Sequence, residues 1–159
     1  MNILDISELI SKALGIDNEI LRKILEDKLS PEQLSLNFEN DEKMVKIKSL
    51  LEKDANILKF GDDHIKGKSK ENFIKLKNSL GKLQILVLIN DIKKSKDCND
   101  VLDSFMKVFN DKIDSVNTIL EDNLTQKGGN NNNIYIKKYL KYKIKYLKYK
   151  IKYLKILSF

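Results

Sequence analysis

The chain has 159 residues, 42% of them apolar and 33% charged, with a formal net charge of +7, a length that suits one domain or a smaller domain with an appendage. A single cysteine, Cys98, and a single histidine, His64, exclude an internal disulfide framework and a Cys/His zinc site, and a reducing compartment is the natural fit. The opening stretch MNILDISELI carries acids where a secretory signal carries positive charge, and no apolar run approaches the roughly 18 residues of a membrane span, so a non-secreted protein, soluble or at most peripheral, is expected.

The charge is unevenly placed. Residues 134–159 hold nine lysines and no acid, so of the 30 basic side chains 21 remain in the first 133 residues, facing all 23 acidic ones. The body is near −2 and the tail is +9, and only the tail has the asymmetry that marks an anionic partner. All the basic residues but Arg22 are lysine, and Ile, Asn and Lys are all abundant, a bias that fits an A/T-rich coding sequence better than selection for phosphate chemistry.

Near the start, Ile6, Leu9, Ile10, Ala13 and Leu14, and then Ile20, Leu21, Ile24, Leu25 and Leu29, are spaced as two short helices separated by Gly15, with Asp17 as the second cap. Ser30 before Pro31 starts a third short turn, because proline lacks an N–H that would be unpaired at a first helical position. Asp41 caps a longer helix through Met44, Ile47, Leu51 and Leu58, and a polar loop is expected from Lys59 to Ser69. From Lys70 onward Phe73, Leu76, Leu80, Leu83 and Val87 fall at helical spacing. The segment LQILVLI at its centre is the most apolar in the chain, which predicts a buried central helix, with Gly81 marking close packing or a bend. A long amphipathic helix follows from Asn99 to Leu124, and TQKGGNNNN, without an apolar residue, reads as a flexible linker.

Few residues suggest chemistry. The stretch DDHIKGKSKENF from Asp62 has Gly67 where an EF-hand loop has its glycine, but Lys66, Lys70 and Phe73 stand at ligand positions, so calcium is not expected. His64 has no partner ligand, and a solvated histidine is the plainer reading. Cys98 precedes a helix start, which lowers a thiol pKa, yet no histidine or oxyanion motif accompanies it. Without a phosphate-binding glycine loop, a catalytic serine motif or paired carboxylates, no catalytic residue, metal or cofactor is assigned and the protein reads as a non-enzyme.

The tail is the most patterned part. YLKYKIK is written twice from Tyr139 and begun a third time. As a helix of about 100° per residue, Ile144 and Ile151 with Leu140, Leu147 and Leu154 form one aliphatic edge. Tyr139, Tyr142, Tyr146, Tyr149 and Tyr153 form an aromatic edge on the opposite side, and Lys141, Lys143, Lys145, Lys148, Lys150 and Lys152 fill the flanks. A self-paired coiled coil is disfavoured, because little over two heptads are present and lysine at every e and g position repels a parallel copy. A strand would need a bulge every seven residues. Three partners suit such a ribbon: the mildly acidic body itself, nucleic acid through lysine on phosphate and stacked tyrosine, or neighbours in a protein assembly gripped by both edges. A membrane surface suits it less, since the tyrosine edge spoils a clean polar face.

The run GGNNNNIYIKKYLKYKIKYLKYKIKYL resembles the YLKYK-type C-terminal tails of otherwise unrelated proteins of Mimivirus-like giant DNA viruses, over about a fifth of the chain. That resemblance implies a virally encoded protein of the infected host cytoplasm, its virus factory or the virion, with the tail as a shared module for incorporation or assembly. Gly128 and Gly129 also resemble the cleavage points of large-virus precursor proteins, which marks them as a candidate processing site beside their plainer use as a helix stop and tether.

The expectation is therefore an all-α small helical bundle over 1–127, a Gly/Asn linker over 128–133, and a basic amphipathic C-terminal helix over 134–159. Its partner-binding residues are the six flank lysines with Tyr142, Tyr146, Tyr149, Ile144, Leu147 and Ile151, and its partner is a viral or host protein assembly or nucleic acid. The competing expectation is a host-directed interaction protein whose helical body is the effector and whose tail is only a packed last helix.

Overall fold

The computed structural model describes residues 1–125. Within them the chain forms six helices and no strand: α1 (Ile3–Leu14), α2 (Asn18–Lys28), α3 (Pro31–Ser35), α4 (Glu42–His64), α5 (Lys68–Lys94) and α6 (Cys98–Thr125). The linker and the tail, with every tail residue assigned to partner binding and the diglycine at Gly128 and Gly129, lie outside the described residues.

Local chemistry sets most helix starts. The Asn2 side chain accepts the Asp5 N–H while the Asp5 carboxylate accepts the Asn2 N–H, at 2.9 and 3.1 Å, a reciprocal pair that satisfies two donors at the start of α1. Asp17, Ser30 and Asp41 cap α2, α3 and α4 through the N–H groups of Glu19, Gln33 and Lys43, with Pro31 in the first turn of α3. Asp97 accepts the Asp100 N–H at 3.0 Å ahead of α6.

α6 is the spine. It packs along both α4 and α5, while α1 and α2 pack on each other and α2 reaches α5. Its first half, from Val101 to Phe109, joins Ile3, Ile6 and Ile10 of α1, Leu21 and Leu25 of α2, Met44 and Ile47 of α4, and Leu88 and Ile92 of α5 in one apolar cluster. Its second half, through Val116, Ile119 and Leu120, joins Ile65, Phe73 and Leu80 in another. The LQILVLI segment is thus not the central element. Leu83 and Leu88 are buried, but Leu86 is 37% exposed, because α5 turns one face to α6 and α2 and keeps an apolar rim on the outside.

The expected polar loop from Lys59 to Ser69 is also corrected. α4 continues through it to His64 and α5 begins at Lys68, leaving three residues between them, where Gly67 takes a positive φ of 70° that is easy only for glycine. Gly61 lets the end of α4 approach its neighbours closely. A methyl group there would lie 3.0 Å from the Phe73 ring and 3.1 Å from Leu120. Gly81, expected to mark close packing or a bend, has open space around it, so close packing is not its role.

The two helical glycines therefore predict opposite outcomes. Gly81→Ala should raise the thermal midpoint by a few degrees, since alanine gains about 0.5–1 kcal/mol over glycine in a helix interior. Gly61→Ala should lower it despite the same propensity gain, because the buried Phe73 ring must shift. Parallel melts of the two variants by circular dichroism check the pair.

Candidate functional site

Two of the sequence candidates are used up locally. His64 ends α4, exposed, with Nδ1 3.0 Å from the Phe60 carbonyl and its ring stacked on Phe60 at 4.1 Å. The DDHIKGKSKENF stretch is split between the last turn of α4, the connection and the first turns of α5, so it does not form a loop. No group of three or more His, Cys, Asp or Glu side chains among the described residues is placed to hold a metal, and no described helix is long and apolar enough to cross a membrane.

Cys98 does open a helix, but the expected pKa depression is reversed. Its side chain is buried, its Sγ donates to the Gln33 carbonyl at 3.2 Å, and its N–H donates to Gln33 Oε1 at 3.0 Å. Burial, and then the negative charge of Asp97, push the thiol up to about 11. Desolvation of a thiolate outweighs the helix dipole here. The thiol is a packed group that ties α3 to α6.

The buried chemistry missed in the sequence is an ion pair. Lys112 of α6 and Asp54 of α4 are 7% and 3% exposed. Lys112 Nζ lies 2.9 Å from Asp54 Oδ2 and 3.4 Å from the Ala13 carbonyl, one of the last-turn carbonyls of α1 that have no partner within that helix. The ammonium also sits 5.7 Å from the Phe109 ring centroid. A signal existed: Asp54 stands in register with Ile47, Leu51 and Leu58, and Lys112 with Phe105, Phe109, Val116 and Ile119, so each is a charge in an apolar stripe. The pair joins three helices.

One described surface with hollows along it is a shallow groove between α5 and α6. Near the α5–α6 connection lies a hollow of about 270 Å³ bordered by Lys94, Asp100, Asp103 and Ser104. Beside it is a smaller one of about 100 Å³, lined by Leu80, Gln84, Val87, Val108, Asp111 and Ser115. Asp91 and Lys107 border both, 3.6 Å apart. The groove grades from charged to apolar along its length. Gln84 is buried in it with Oε1 lacking a hydrogen-bond partner.

Comparison of the chain with protein-family models, with curated proteins and with solved structures finds no match.

Two predictions follow the buried groups. Asp54→Asn leaves the Lys112 ammonium buried without its counter-charge and should reduce unfolding stability by about 3–5 kcal/mol, whereas Asp54→Leu with Lys112→Met should recover most of that, read from urea titrations. For Cys98 the neutral thiol is favoured by the fold. Its contribution is complete below about pH 9 and is lost as pH rises toward 11. The stability difference between the native chain and Cys98→Ala should therefore narrow over that interval, and a thiol reagent should label the folded protein far more slowly at pH 8 than the urea-unfolded one.

Proposed function

We propose that this is a virally encoded, non-enzymatic accessory protein that joins an assembly, in the virus factory or the virion, through its C-terminal ribbon. The observation that carries the reading is segregation: nine lysines and no acid in residues 134–159, joined to a body with 21 basic and 23 acidic side chains. A generic polycation needs only charge. Read as a helix from its period, this segment would instead place Ile144, Leu147 and Ile151 on one edge and Tyr142, Tyr146 and Tyr149 on the other, an arrangement useful for gripping protein surfaces on two sides. The resemblance of the tail to those of giant-virus proteins supplies the setting.

The ribbon reading predicts that the native protein is recovered with purified particles of the virus that encodes it. Replacing Lys141, Lys143, Lys145, Lys148, Lys150 and Lys152 by glutamine should remove it, and so should replacing Tyr142, Tyr146 and Tyr149 by serine. Binding to single-stranded DNA over a salt series decides the competing partner. A log–log slope near −4 for the native chain, collapsing in the lysine variant, is what about six phosphate contacts on a single strand would give, and would replace protein assembly by nucleic acid.

A further inference from the structure

We infer that the groove between α5 and α6 is the intramolecular dock of the YLKYKIK ribbon, which lies in it with its aliphatic edge inward and its tyrosine edge outward. The inference stands apart from the identity of any external partner.

Reach comes first. α6 ends at Thr125, and Ser115 at the near end of the groove lies ten residues earlier, about 15 Å back along a helix that rises 1.5 Å per residue. The eight residues 126–133 span up to about 26–29 Å. Ile134 can therefore stand about one and a half turns short of Ser115 and Tyr139 level with it, with the tail running antiparallel to α6. From Ser115 to Asp100 is 15 residues, about 22 Å, and two seven-residue phrases as helix cover about 21 Å. The repeat and the groove have the same length.

Chemistry agrees along that length. The smaller hollow is walled by Leu80, Val87 and Val108. Its volume of about 100 Å³ is well above the roughly 10–15 Å³ that a single water needs, which suits an aliphatic side chain such as Leu147. Asp91 on the α5 side and Asp111 on the α6 side flank this apolar floor, as lysines flank the aliphatic edge of the ribbon on both sides. Toward the connection the groove adds Asp100 and Asp103, so four carboxylates border the two hollows against Lys94 and Lys107. Lys107 pairs with Asp91 and Lys43 with Asp103 across exposed contacts that further lysines can share. Independent of charge, Gln84 Oε1 is a buried acceptor without a donor. A lysine ammonium from the ribbon supplies what it lacks.

This orientation leaves Tyr142, Tyr146 and Tyr149 facing away from the body, as the edge available to a second surface.

The test uses the full chain. Hydrogen–deuterium exchange of residues 139–154 should be slowed about tenfold or more relative to an unstructured peptide. It should return toward the peptide rate in Asp91→Lys with Asp111→Lys and in 1 M salt, while α1 to α4 stay protected. Carbodiimide coupling at low salt, on a mixture of isotopically light and heavy chains, should join lysines of 141–152 to Asp91 or Asp111 within one isotopic form. Links between light and heavy chains would assign the groove to a second copy, and unprotected ribbon amides or links to acids elsewhere would overturn the dock. A milder variant, Gln84→Leu, removes the acceptor without a charge change and should weaken protection of the ribbon alone. Recovery with particles is read separately, so loss of the dock leaves the assembly reading to stand or fall on its own.

Discussion

The pair between Lys112 and Asp54 constrains the rest of the bundle. It lies between the two apolar clusters, at the middle of α6 and the middle of α4, and its third contact is the end of α1. Two charges withdrawn from water cost several kcal/mol each unless they meet with good geometry. A slip of α4 by one turn along α6 would leave both uncompensated, so the pair selects one register among those that the apolar stripes alone would tolerate.

That selection matters because the other apolar side chains by which α4 packs on the two clusters, Leu50, Leu51, Ile57 and Leu58, are only partly buried. Of its 23 residues only Met44, Ile47, Asp54 and Gly61 are fully buried. Two apolar anchors lie at its first turns, the ion pair at its middle, and a glycine against Phe73 and Leu120 near its end. α4 is thus positioned by a charge and by the absence of a side chain as much as by burial. α6 can then serve as the spine, and α5, held on α6 and α2, keeps an outward face with both apolar and acidic residues.

What the sequence made legible follows from range. Asp17, Ser30 with Pro31, and Asp41 announce helix starts because a cap is made within three residues, and the all-α class follows from period alone. The end of α4 was not legible, since a polar run with a glycine looks like a loop until Phe73 and Leu120 are known to pack on Gly61. The LQILVLI segment announced burial but not which side would be covered. Cys98 misled because a helix start is local while desolvation depends on α3, and the Lys112–Asp54 pair could be suspected only from charges in apolar register. For the tail, a period defines edges and says nothing of the surface that an edge will meet.

The same asymmetry of range bears on how a ribbon could be both held and released. Exposed lysine–carboxylate pairs contribute about 0.2–1 kcal/mol each and weaken with salt, so four groove acids, two of them already paired with Lys43 and Lys107, would hold a docked ribbon only loosely by charge. A short tether compensates with an effective concentration in the millimolar range, which sets occupancy without tight contacts. A partner with denser negative charge and a surface for the tyrosine edge can therefore draw the ribbon out of the groove, because it offers contacts to the edge that the body leaves unused. On the proposed dock, docking on the body and docking on an assembly would be two occupancies of one segment, with the balance between them set by local concentration and ionic strength more than by any change in the fold.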